Sequence, residues 1–151
     1  MNSLNNLLLQ LENHIPNFEK TNSKISNSTI GWQIDHCLLV INGVMSQIEI
    51  SNPTEFQSKF NFNRFMVFTT GKIPRGKIRA PKVVTPFDVA TAEELKSKIE
   101  IAKNNISKLN NLPKNSFFKH PFLSNLSLRQ TQKFLAIHTK YHLKIIEDIL
   151  K

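Results

Sequence analysis

Residues 127–150, SLRQTQKFLAIHTKYHLKIIEDIL, decide how the chain folds. Ser127 and Gln130 stand three residues apart, so a hydroxyl and an amide can each satisfy a free backbone donor of a first turn, and a helix starts here. At about 100° per residue, Leu128, Thr131, Phe134, Leu135, Tyr141, Ile145, Ile146 and Ile149 gather on one side, while Lys133, Lys140, Lys144, Glu147 and Asp148 avoid it. His138 and His142 stand in the middle of that apolar side. An imidazole moved into hydrocarbon without a partner costs free energy, so both rings need one. Cβ atoms one turn apart are about 5 to 6 Å from each other, close enough to share a cation and equally close enough for ordinary hydrogen bonds. Taken alone the pair is more simply a satisfied core pair, and a metal site requires a third ligand from elsewhere.

Upstream, Phe117, Phe118, His120, Pro121 and Phe122 form a hydrophobic clip into this helix. His120 precedes it by a turn or two, roughly 25 Å from His138 along a regular helix, and is not counted as a ligand. Residues 91–110 read as a third helix: Thr91 with Glu94 makes a capping box, and Leu95, Ile99, Ala102, Ile106 and Leu109 form one stripe. A second helix runs from Ser28 or Thr29 to about Glu49. Ile34, Leu38, Ile41, Met45 and Ile48 repeat along it, Cys37 fits as a small core residue, and His36 lies at the border of the apolar arc one turn after Trp32. A first helix, about Ser3 to His14, carries Leu4, Leu7, Leu8 and Leu11 and stops before Pro16. The polar stretch 17–28 is a loop.

Between the second and third helices, residues 50–90 hold four prolines and six phenylalanines. Pro53 after Asn52 suits a short helix, and Gly71 ends another that carries Phe65 and Phe68. Some forty residues exceed what neighbouring antiparallel helices need. A long crossover follows, its phenylalanines expected to cover one end or side of an all-α four-helix bundle in up-down-down-up order. That order makes the second and fourth helices antiparallel and brings His36, His138 and His142 to similar heights.

The chain of 151 residues is expected to form one domain, residues 1–151, soluble and cytoplasmic, with no membrane-spanning stretch. Its charge of +9 raises nucleic acid as a partner, but Lys outnumbers Arg sixteen to four and the cations are scattered, which disfavours that class. The dense exception is Lys72, Arg75, Lys77, Arg79 and Lys82 in the crossover, more simply read as a solvated loop than as a recognition surface.

Trp32 one turn before His36, the crossover KIPRGKIRAPKVVTP, and the HPF approach to His138-x-x-x-His142 together resemble the DinB superfamily of four-helix-bundle metalloenzymes, in particular an uncharacterised branch of it. The resemblance covers almost the whole chain. It implies His36, His138 and His142 as metal ligands, and a homodimer. After HPF, where the branch tends toward an aromatic and Gly, this chain has Leu123 and Ser124. Three imidazoles suit a divalent ion such as Zn, Ni or Fe and leave a position open for water or substrate. No glutamate follows His138, which disfavours peptide hydrolysis. The resemblance implies a transferase whose metal holds a low-molecular-weight thiol as thiolate for attack on a small electrophile. Lys72, Arg75, Lys77, Arg79 or Lys82 would hold the thiol's carboxylates, and Tyr141 would donate a hydrogen bond near the open position. The alternative is a non-catalytic module whose basic crossover binds an acidic partner or nucleic acid, a contact that salt would weaken steeply.

Overall fold

Four side chains set where helices begin. The hydroxyl of Thr29 accepts from Trp32 N–H and the side chain of Asn61 from Arg64 N–H, while Thr91 and Ser127 close reciprocal capping boxes with Glu94 and Gln130. Each such cap is worth about 1 kcal/mol. The helices they start are α2 (Ile30–Glu49), α3 (Phe62–Thr70), α4 (Ala92–Lys108) and α5 (Leu128–Ile149), preceded by α1 (Asn2–His14). The computed structural model describes residues 2–75 and 79–151, and Lys77 of the basic cluster lies outside them. Gly71, left-handed at φ 64°, ends α3 as its position predicts. Pro53–Glu55 is a single 3₁₀ turn capped by Asn52.

The chain is mostly helical. Helices α1 and α2 each pack against both α4 and α5. Between them Leu8, Leu11, Ile34, Leu38, Ile41, Met45, Ile99, Leu135 and Ile146 are sealed from solvent, and Cys37 is buried among them. Polar contacts show the helix directions. Asp35 pairs with Lys98 at 2.7 Å, Asn42 with Asn105 at 2.9 Å and Glu49 with Lys108 at 3.6 Å, so residue numbers rise together and α2 runs parallel to α4. Near its start α2 meets His142 of α5 through Gln33. Just past its end, Ser51 Oγ accepts from Phe117 N–H ahead of α5, so these two helices are antiparallel. Among the described residues no helix is long and apolar enough to cross a membrane.

Two expectations need correction. The clip before α5 is a β-hairpin, β1 (Phe117–His120) against β2 (Ser124–Ser127), so the fold is not purely helical. Three residues link the strands, and the next, Ser124, takes a left-handed φ of 61°. The second correction concerns the crossover's phenylalanines. Phe56 and Phe68 are half-buried, but Phe60, Phe62, Phe65 and Phe87 face solvent rather than covering the helices. On α3 it is Arg64 that turns inward: its guanidinium donates to Leu123 O and Asn125 O at 3.2 Å each and to Lys59 O. Three carbonyl acceptors outbid the apolar periodicity, because a buried cation needs every donor matched.

Candidate metal centre

Antiparallel packing of α2 on α5 brings one ring nitrogen each from His36, His138 and His142 within 4.8 Å of one another. The ring centroids of all three pairs are 4.6 to 5.0 Å apart. Helical spacing predicted that the three rings could stand at similar heights, and they do come together.

Two of the rings are held by partners that fix their tautomers. His36 Nδ1 lies 2.7 Å from the carbonyl of Val84, in the 3₁₀ turn Lys82–Val84 of the crossover. A carbonyl only accepts, so Nδ1 carries the proton and the Nε2 lone pair is free. His142 Nδ1 likewise donates to Gln33 Oε1 at 2.6 Å, and the Gln33 amide is turned this way because its Nε2 donates to Ser26 Oγ at 3.3 Å. The indole of Trp32 stacks on His36 at 5.1 Å with a 13° tilt. Orienting bonds of this kind to the distal nitrogen are what metal-binding histidines usually have.

His138 differs. Its Nε2 sits 3.2 Å from His36 Nε2, while its Nδ1 is the buried side-chain polar atom without a hydrogen-bond partner among the described residues. If the proton is on Nε2, it is donated to His36 and the Nδ1 lone pair is stranded; if it is on Nδ1, two lone pairs face each other. A cation between the rings converts that second conflict into two bonds. Two ligands at about 2.1 Å from one tetrahedral ion stand roughly 3.4 Å apart, close to the observed spacing. That pair fits a shared divalent ion, and a nitrogen of His142 completes a group of three within 4.8 Å.

The electrostatics leave the lone pairs available. Burial pushes the His142 pKa down to about 3, with nearby His36 adding to the effect. Burial holds His138 well below the ordinary histidine value, helped by the other three rings near it. His36 is also lowered by burial, against an opposing pull from the Val84 carbonyl and from Asp35. At neutral pH all three rings are neutral bases. Cys37, by contrast, is an inert thiol whose pKa burial raises.

Of the remaining sequence candidates among the described residues, only Tyr141 is in ring contact with the trio. Tyr141 stands edge-on to His142 at 5.0 Å. It lines a cleft of about 310 Å³ with Lys72, Arg75, Lys140 and Lys144. Arg75 is engaged by Asp148 at 2.9 Å. Arg79 and Lys82 are exposed, Lys82 at the head of the turn whose Val84 carbonyl holds His36. His120 is nearer the centre than a regular helix allowed. The hairpin folds it back so that its ring meets Phe134 at 4.7 Å, and Phe134 in turn meets His138 at 5.8 Å. Its Nδ1 accepts from Phe122 and Leu123 N–H, so that nitrogen serves the turn and not the trio.

The orienting groups Gln33 and Val84 are absent from the sequence reading. A glutamine inside an otherwise apolar arc, three residues before a histidine, was the one available sign of the first. A backbone carbonyl leaves none. No protein-family model, no curated protein and no solved structure matches the chain.

Proposed function

We propose that the chain is a metal-dependent enzyme of DinB-like four-helix-bundle architecture, with His36, His138 and His142 holding one divalent ion and a low-molecular-weight thiol as co-substrate of a group transfer. The observation that carries this reading is the 3.2 Å approach of His36 Nε2 and His138 Nε2, with the distal nitrogens of His36 and His142 already committed to acceptors. A divalent ion held by these three histidines would supply Lewis acidity that favours a thiolate over a thiol.

The chain's own residues then bind and orient. Val84 O and Gln33 Oε1 keep two lone pairs pointed inward, and the Trp32 indole packs flat against one ring. In the cleft lined by Tyr141, Lys72 and Arg75, the latter shared with Asp148, would supply cations for a carboxylate-bearing thiol, with Arg79 and Lys82 further along the same crossover. Tyr141 O–H serves as a donor near the incoming group. In the transfer the thiol's S–H bond and the electrophile's carbon–leaving-group bond break, a sulfur–carbon bond forms, and the leaving group departs with the electron pair and takes up the thiol's proton through solvent.

Elemental analysis tests the centre. Protein purified without a metal-affinity tag is expected to carry about one equivalent of Zn, Ni or Fe, and His138→Ala to carry none; equal metal in both, or none in either after addition of each ion, sinks the site. Turnover of a panel of thiols and electrophiles by the loaded protein tests the chemistry separately. Identical rates with wild type and His138→Ala remove the enzymatic reading.

A further inference from the structure

We propose that the outward face of α3, together with Phe60 and Phe122, docks the protein on the surface of an anionic lipid bilayer. Phe62, Phe65 and Met66 fall at positions i, i+3 and i+4, one stripe of a helix, and they are 64%, 53% and 42% exposed. Phe60, 79% exposed, lies against Phe65 with ring centroids 6.2 Å apart. Phe122, half exposed, is joined to the same surface because Asn61 Nδ2 donates to its carbonyl at 3.2 Å. At about 200 Å² for a whole aromatic side chain, these five present on the order of 500 Å² of bare apolar surface. That is near the top of what soluble monomers leave uncovered.

The charges around the patch select its partner. Residues 56–87 contain no Asp or Glu, and Lys59 and Lys72 stand just before and just after α3. Arg64 points inward, so the stripe itself is purely apolar. Lys59 adjoins Phe60, Lys119 faces Asn125 across the hairpin whose tip carries Phe122, and Lys133 of α5 stands over the ring of Phe68 of α3. An apolar strip flanked by lysines suits insertion of the rings at the headgroup boundary with the ammonium groups on anionic lipid.

Two other occupants fit less well. A second copy would cover only about 500 Å² per chain, short of the roughly 800 Å² of a standard interface, and each chain brings a charge of +9. Single-stranded nucleic acid stacks on rings that stand free for successive bases. Here Phe60 and Phe65 pack on each other and Met66 completes the strip.

Vesicle sedimentation of the full chain tests the proposal, using phosphatidylcholine alone and phosphatidylcholine with phosphatidylserine. The wild type is expected to pellet with the anionic vesicles only, and Phe62→Ser/Phe65→Ser to bind them at least about tenfold more weakly. Lys59→Glu/Lys119→Glu is expected to reduce the binding as well. All four side chains are exposed, so circular dichroism should match wild type. No pelleting of the wild type, or undiminished pelleting of the serine variant, overturns the proposal. So does a dimer in sedimentation velocity that the serine variant dissolves, or oligonucleotide binding lost in that variant without any vesicle binding.

Discussion

At the histidine centre polar rings point inward among apolar neighbours, whereas on α3 apolar rings point outward and a cation points in. Both regions invert the usual partition of side chains, and they do so at different cost. An inward polar group must find partners inside the fold, and the chain supplies them from distant places: Val84 O for His36, Gln33 Oε1 for His142, and three carbonyls for Arg64. Outward phenylalanines only forgo burial, so nothing inside the chain compensates them. An inverted polar group therefore reports on how its element is held, and an inverted apolar group reports on what the element meets.

The largest expected effect comes from acid, which attacks the centre and spares α3. His36, His138 and His142 have folded pKa values below the unfolded value of about 6.5, and His120 is pushed down by burial to about 4. Below pH 6.5 the unfolded chain binds more protons than the folded one, so stability rises with pH. It is fully present above about 6.5 and is lost as pH falls toward 3 to 4, at about 1.4 kcal/mol per pH unit for each ring kept neutral. Urea midpoints of chelator-treated protein should fall continuously from pH 6.5 to 5. A flat profile over that interval would show that the rings are not held neutral.

Arg64→Met reverses the test by striking only the α3 side. Methionine keeps most of the stem but strands the carbonyls of Lys59, Leu123 and Asn125, so the loss should be about 3 kcal/mol, with the acid profile unchanged in shape. A loss below 1 kcal/mol would mean that solvent replaces the guanidinium easily and that the inward turn of Arg64 is incidental.

What could be read from the sequence divides along the same line. Helix starts were legible because a cap is local: Thr91 with Glu94 and Ser127 with Gln130 act across three residues. The three histidines were legible because helical rise converts residue number into height, and α2 and α5 run antiparallel as that estimate required. The hairpin was not, since four residues per strand with Lys119 and Asn125 in the middle show no apolar alternation. Nor was the inward turn of Arg64, because the phenylalanines of this stretch, not its arginine, were expected to lie against the bundle. Carbonyls on the hairpin and at Lys59 overrule that expectation, and those become neighbours only once the chain has folded. The 25 Å estimate for His120 failed for the same reason, since it extended a helix through what is a turn.

Gln33→Leu sharpens the comparison at the centre. Its volume suits the buried position, but it removes the acceptor that keeps the proton on His142 Nδ1, so the lone pair no longer rests on one nitrogen. Metal affinity should fall about 10- to 100-fold, in the range for loss of an orienting partner, while the fold persists. Competition with a chromophoric chelator measures it. Ser26→Ala, one bond further out at 3.3 Å from Gln33 Nε2, should produce a smaller loss in the same assay. Unchanged affinity in Gln33→Leu would mean that His142 is oriented by packing alone.

The smallest effect lies at the hairpin tip, where two opposing terms nearly cancel. Ser124 holds a left-handed φ of 61°, which costs a non-glycine residue about 1 kcal/mol. Its hydroxyl in turn accepts from Asn61 Nδ2 at 3.0 Å, the same amide that ties Phe122 O to the start of α3. Ser124→Gly relieves the backbone and forfeits the hydrogen bond, worth about 1 kcal/mol in an exposed position, so its stability should stay within about 0.5 kcal/mol of wild type. Ser124→Ala forfeits the bond and keeps the strain, so it should fall by about 1 kcal/mol. The gap between the two variants isolates the conformational term. Equal stabilities for Gly and Ala would mean that the turn relaxes out of the left-handed region once the hydroxyl is gone, and that Asn61, rather than the three-residue loop, sets the tip's geometry.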